Sequence, residues 1–249
     1  MTTIEALSPT LFCVVLFVVV SIGVLGLFGV RPRMTLAVAV LRGAVQLAII
    51  SVILSGIIRN PVFVALALLV MFSVAVLTAT RRIAWSRHGL AMVAGSMAAG
   101  VTVTLLIVFA SGAIPLTPRY ALAIGGIIIG NTMTTATLAG RRFTEAVDAR
   151  WEEVEGWLAL GATPRRSTQD LARTSVYAAI IPSIDQTKTT GLVTLPGAFV
   201  GAIFGGISPL EAGRFQIVVL AGIMAAGTVT ATAVIAALAP VRVRPKLPS

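Results

Sequence analysis

The chain has 249 residues, 57% of them hydrophobic and 11% charged, with a formal net charge of +10 and a mean hydropathy of +0.99. A water-soluble domain carries roughly a quarter charged residues, so a soluble globule is excluded. The basic excess does not point to nucleic acid, because it is spread over short segments between apolar runs, where arginine and lysine set membrane orientation.

A membrane-crossing helix needs about 20 mostly apolar residues. Uncharged runs occur at 6–30, 43–58, 60–80, 89–118, 120–140, 189–210 and 215–239, and the second extends back to Met34 if Arg42 lies within the span. The expectation is an all-α bundle of about seven transmembrane helices in a single domain, 1–249. The first run is not read as a signal peptide, because it is long and its only early charge is Glu5. Cys13 lies in that run as a small apolar side chain. With the N-terminus outside and the C-terminus inside, 14 of the 19 basic residues fall on the inner side. Only Arg59, Arg119 and Arg214 fall outside, and Arg42 and Lys188 lie within or near spans. This asymmetry predicts the orientation. The outer connections carry Asn60-Pro61, Pro115 to Pro118 and Ser208-Pro209, which are expected to stop helices.

One sizeable segment, about 141–183, is predicted to lie in the cytoplasm. Val147, Trp151, Val154 and Leu158 recur at helical spacing and form one apolar stripe, with Glu152, Glu153 and Glu155 off it. Gly161 suits a left-handed helix C-cap. Thr163 followed by Pro164 suits an N-cap and first turn. A second helix follows, so the segment reads as helix, turn, helix. It could lie on the membrane surface, or it could dock a soluble partner and carry a rigid-body push into the spans.

Ionisable residues at membrane depth usually face a partner or an aqueous path. Arg42 and Gln46 share one face of span two, where Arg42 could snorkel or line a path. Asp185 and Lys188, three apart, could neutralise each other or act as gate charges. Asn131, Thr132, Thr134, Thr135 and Thr137 make the inner half of span five polar, for packing or for translocation. Met133 beside them is read as core. Gly197, Gly201 and Gly205 form a small-residue stripe for helix packing, within the chain or across a dimer seam. Leu195-Pro196-Gly197 should kink or break that span. The single histidine, His88, lies in a loop, and no residue spacing would hold a transition metal. No catalytic residues are expected. No phosphate-cradling G-x-x-x-x-G-K-[ST] loop is present, so no ATP or other cofactor is expected on this chain.

Glu155 followed six residues later by Gly161, within VEGWLALGATPRR, resembles the cytoplasmic loop of ABC transporter permeases. In those permeases the loop opens with an acidic residue and two alanines, and its short helix sits in a cleft of the ATP-binding subunit. Here Gly156 and Trp157 replace the alanines, and Pro182 lies further downstream than usual. IPSIDQTKTTGLVTLPG, GISPLEAGRFQIVV, the segment from Val40 to Leu47 and GNTM at 130–133 are similar to the iron-export (Fet-type) permease family. That family includes plant aluminium-tolerance permeases, and the similarity covers about 35–240. The resemblance implies a homodimeric, non-enzymatic permease in the plasma membrane, the bacterial cytoplasmic membrane being the first expectation. It implies ATP and Mg on a separate ATP-binding subunit, and export of iron or another small solute.

On that expectation Glu155, Leu158, Gly161, Ala162 and Thr163 form the ATPase-coupling set. Arg42, Gln46, Asn131, Asp185 and Lys188 are the translocation candidates. A secondary transporter using Asp185 as proton or ion carrier is the alternative. An intramembrane enzyme would need a paired nucleophile and base at membrane depth, and the sequence offers none. A non-transporting membrane anchor for a signalling partner is a further class.

Overall fold

The computed structural model describes residues 3–31, 34–57, 60–83 and 85–245, with ten α-helices among them. The chain divides into two units, Met1–Ile58 and Arg59–Ser249.

The first unit is a helical hairpin of α1 (Thr3–Leu27) and α2 (Met34–Ile57), packed against each other. Gly29, at φ +72°, turns the chain after α1. Its N–H reaches Gly26 O at 3.2 Å, and Val30 N–H reaches Leu25 O at 3.0 Å, which satisfies carbonyls the helix end would otherwise leave open. Phe12, Phe17 and Leu41 are exposed, as suits helices whose solvent is lipid rather than water.

The second unit holds α3 (Pro61–Ile83), α4 (Arg87–Ala110), α5 (Pro118–Ala149), α6 (Trp151–Ala159), α7 (Pro164–Ser167), α8 (Gln169–Thr189), α9 (Gly197–Phe204) and α10 (Pro209–Leu238). Helix starts follow local chemistry. Thr117, Thr163 and Ser208 each accept a bond from a backbone N–H in the first turn, with Pro118, Pro164 and Pro209 next in line. Proline is tolerated there because that N–H has no helical partner anyway. Pro118 and Pro209, expected as stops, therefore open the next helix, as Pro61 does at the head of α3, and Pro164 opens α7 as its pairing with Thr163 predicted.

Helices α5 and α10 form the centre. They pack on each other, α4 lies against α10, α3 against α5, and α8 against both. One apolar cluster includes Met97, Ile124, Ile128, Ile223 and Ala226. A second includes Phe143, Val147, Val154, Leu171 and Ile235. The two central helices run in the same direction. Tyr120 and Phe215, near their N-terminal ends, have ring centroids 5.7 Å apart. Phe143 and Ile235, near their C-terminal ends, share the second cluster.

Six described helices are long and apolar enough to cross a membrane: α1, α2, α3, α4, α5 and α10. The run at 189–210 does not form one helix. Helix α8 ends at Thr189, Gly191 takes φ +88°, and its N–H bonds Thr194 O at 2.8 Å. Pro196 then caps an α9 of only 8 residues. A proline and a glycine in left-handed conformation within six positions cannot sustain the helical ladder. The break includes the Leu195-Pro196-Gly197 step that the sequence singled out. Helices α5 and α10 are longer than their uncharged runs, because arginine does not end a helix.

Candidate functional site: the turn at Gly161 and the polar helix faces

Helix α5 has 32 residues, about 48 Å of helix at 1.5 Å per residue. A bilayer core is about 30 Å thick, so α5 is longer than one crossing needs, and its charged residues other than Arg119 lie in its C-terminal third. Helix α6 follows at a break at Arg150, whose Nε donates to Glu153 Oε2 at 2.8 Å. Val147 and Val154 are buried, and Trp151 and Leu158 pack on the same cluster, as the helical stripe requires.

The turn is built from local bonds. Gly161 sits at φ +87°. Its N–H reaches Leu158 O at 3.0 Å, and Ala162 N–H reaches Trp157 O at 3.0 Å. This paired C-cap fixes the exit of α6. Thr163 Oγ1 then accepts from Arg166 N–H at 3.3 Å and opens α7. Of the five coupling candidates, Gly161, Ala162 and Thr163 shape the turn and Leu158 faces inward. Glu155 is exposed. The exposed large apolar residues here are two that the sequence reading left out of the coupling set, Trp157 at 48% and Leu160 at 84% exposure. Their departure from the inward stripe was the available signal.

Two long-range contacts join this region to the end of α10 and the chain after it. Thr168 Oγ1, fully buried, donates to Ala239 O at 2.8 Å. Arg244 Nε donates to Asp148 Oδ1 at 2.6 Å. That side-chain hydrogen bond, followed by the Asp148 charge, raises the Arg244 pKa further above its ordinary value.

The translocation candidates are dispersed. Arg42 and Gln46 lie one turn apart on α2, both exposed and without a side-chain partner among the described residues. Asn131 is half-buried on α5, and its Nδ2 donates to Ile127 O at 2.9 Å. Thr132, Thr134 and Thr137 likewise donate to carbonyls of their own helix. Thr135 packs near Gly227 of α10. The polar half of α5 is thus largely self-satisfied. Asp185 and Lys188 are exposed on α8, and the ion pair their spacing allows is not made among the described residues.

Among the described residues the glycine stripe packs against no other element. A Cβ at Gly197 or Gly201 would meet nothing, and one at Gly205 only its own helix's carbonyls. Close approach is made elsewhere: Gly100 of α4 lies against Ala226 and Thr230, and Gly222 of α10 against Thr104 and Ile128. Thr104 Oγ1, Thr230 Oγ1 and Gln216 Oε1 are buried without a hydrogen-bond partner among the described residues. Two cavities, of about 550 and 300 Å³, adjoin at the N-terminal ends of α5 and α10 and share Tyr120, Glu211 and Phe215. Arg119 and Arg214, the charges that fell on the outer side of the sequence count, line one each. Among the described residues no three of His, Cys, Asp and Glu come together as a metal site.

A bundle of long apolar helices defines a polytopic helical membrane protein, multi-pass in the plasma membrane. The chain belongs to the uncharacterised protein family UPF0014, whose model matches residues 9–241. It is 38% identical over 226 residues to the UPF0014 membrane protein STAR2 of Oryza sativa subsp. japonica, covering 90% of this chain and 79% of that one. It is 37% identical over 194 residues to Protein ALUMINUM SENSITIVE 3 of Arabidopsis thaliana, covering 77% and 71%. A shorter match, 39% over 127 residues and covering 51% and 48%, joins it to an Escherichia coli (strain K12) protein described as "Probable iron export permease protein FetB". No solved structure matches it.

Proposed function

We propose that this chain is the membrane-spanning permease subunit of an ABC transporter that exports a metal ion such as iron, or another small solute, and is driven by a separate ATP-binding subunit. The observation that carries the reading is the exposed apolar tip, Trp157 and Leu160, held on a rigid turn beyond the membrane end of α5. Apolar side chains presented on an ordered turn in water are the mark of a protein-docking surface. The turn is tied to α10 through Thr168 and packs with α5 and α10 in the second cluster, while Arg244, beyond α10, bonds Asp148 at the end of α5. A push on the tip would therefore reach the two central helices as a rigid body. The substrate class is taken from the printed description of the Escherichia coli relative.

Because α5 and α10 run in the same direction, the chain between them must return across the bilayer. Helix α8, the loop at 190–196 and α9 supply that return as a broken crossing. The reading is therefore seven crossings with six unbroken helices, N-terminus out and C-terminus in, and the helix–turn–helix in the cytoplasm. The unpacked glycine face of α9 is available to a second copy of the chain.

The test is capture of the ATP-binding subunit by the full chain in detergent. Leu160→Asp should weaken capture at least about tenfold, since a central apolar anchor is worth upward of 1–2 kcal/mol. Gly161→Pro should abolish ATP-dependent efflux of the loaded metal from vesicles. Efflux that persists without any ATPase and collapses with the ion gradient would favour instead a secondary transporter, for which the exposed Asp185 is the carrier.

A further inference from the structure

Ile83, at the end of α3, lies against Gly140 of α5, where a Cβ would come within 2.8 Å of its side chain. That close approach sets the register of the two helices. It brings Arg82 of α3 level with Arg141 and Arg142 of α5, although about 60 residues of chain separate them. The three arginines line a cavity of about 380 Å³ with Thr134, Thr137, Leu138 and Glu145. Three cations face one carboxylate. Glu145 is met by Arg141 at 3.6 Å, and neither Arg82 nor Arg142 has an ion-pair partner among the described residues. Helix C-terminal charge complementarity accounts for Arg82 in the last turn of α3. It does not account for the mid-helix pair on α5.

The depth of this cavity identifies its occupant. Counting about 20 residues from Pro118 for one bilayer core places the exit of α5 at Thr137 and Leu138. The cavity therefore straddles the boundary, with Leu138 and the threonines at the hydrocarbon edge and the arginines one turn beyond. Lipid phosphates lie at that level. The threonine hydroxyls give their protons to Gly130 O and Met133 O, so the guanidinium groups are the donors available. Guanidinium binds phosphate oxygens in paired hydrogen bonds, and basic pockets between transmembrane helices on the inner side suit anionic headgroups.

We infer that Arg82, Arg141 and Arg142 form a binding site for the headgroup phosphate of an anionic phospholipid of the inner leaflet. The leaflet assignment rests on the orientation proposed above; the site itself does not. The experiment uses the full chain in detergent with equal phosphatidylcholine and phosphatidylglycerol, read by native mass spectrometry. Selective retention of phosphatidylglycerol is expected. Arg142→Gln should weaken it about fivefold and R82Q/R142Q about 30-fold, at roughly fivefold per arginine near a membrane surface. R31Q/R242Q, the same charge change elsewhere, should leave retention within about twofold of wild type, well inside the fivefold step of one arginine. Equal retention of the two lipids, or equal loss in both double variants, would overturn the inference. Displacement by millimolar inorganic phosphate would assign the cavity to a soluble anion instead. A double variant that loses ATPase capture but keeps phosphatidylglycerol would assign it to the protein partner. Lipid retention needs no ATPase, so failure here and failure of the coupling reading give separate results.

Discussion

The contact between α4 and α10 rests on Gly100, and Gly100→Ala tests it. A methyl group there would stand 2.6 Å from Ala226 O and closer still to Thr230 Oγ1. Neither can withdraw freely, since one is helix backbone and the other is fully buried. The helices must separate, and forcing a methyl into a packed interface costs about 1–3 kcal/mol. Replacing glycine by alanine inside a helix returns up to about 1 kcal/mol. Contacts this close put the strain in the upper part of the overpacking range, so the net loss is about 1–2 kcal/mol, or about 2–8 °C in thermal midpoint for a chain of this size. Gly95→Ala on the same helix is the control, because a Cβ there meets nothing within 4 Å. It should be neutral or slightly stabilising. Adding Thr230→Ala to Gly100→Ala should restore part of the loss and not all, because the Ala226 carbonyl remains. Thermal unfolding of the three variants in one detergent decides the matter. If Gly100→Ala melts with Gly95→Ala, the α4–α10 contact described here is wrong.

Thr168→Ala removes one of two donors to the Ala239 carbonyl, Val241 N–H at 2.7 Å remaining, which should cost about 0.5–1.5 kcal/mol and lower the thermal midpoint. Gly161→Ala meets no side chain but must hold φ +87°. It should cost about 1–2 kcal/mol of local stability, seen as faster amide exchange in α6 with the spans unchanged. Breaking the exposed Arg244–Asp148 bond by Arg244→Gln should leave the thermal midpoint essentially at the wild-type value, as for other surface changes. It should nonetheless speed proteolysis of the segment after α10.

Much of the architecture was legible because its causes are local. The apolar runs marked α1 to α5 and α10. The stripe Val147, Trp151, Val154, Leu158 and the Gly161–Thr163–Pro164 step described the helix–turn–helix, since hydrophobic period, left-handed glycine and proline N1 act within a turn of the chain. The run at 189–210 reads as a span with a kink or break at Leu195-Pro196-Gly197, and the break begins earlier, at Gly191. Its mean apolarity satisfies a spanning helix, yet backbone constraints at Gly191 and Pro196 override apolarity. The i, i+3 rule allowed an Asp185–Lys188 pair, but exposed side chains gain little from such pairing, and the structure leaves them apart.

The sequence alone determined that this chain lives in a membrane, where most of its apolar helices run, and that a stiff turn interrupts the long segment after the fifth apolar run. Those facts follow from composition and from forces within one or two turns of helix. Tertiary structure decided which glycines are contact points, choosing Gly100, Gly140 and Gly222 over the regular stripe at 197, 201 and 205. It also joined Asp148 to Arg244, Thr168 to Ala239, and Arg82 to the level of Arg141. Each of those pairings depends on how two helices slide and rotate against each other, a quantity set by packing across the bundle and written in no single stretch of chain.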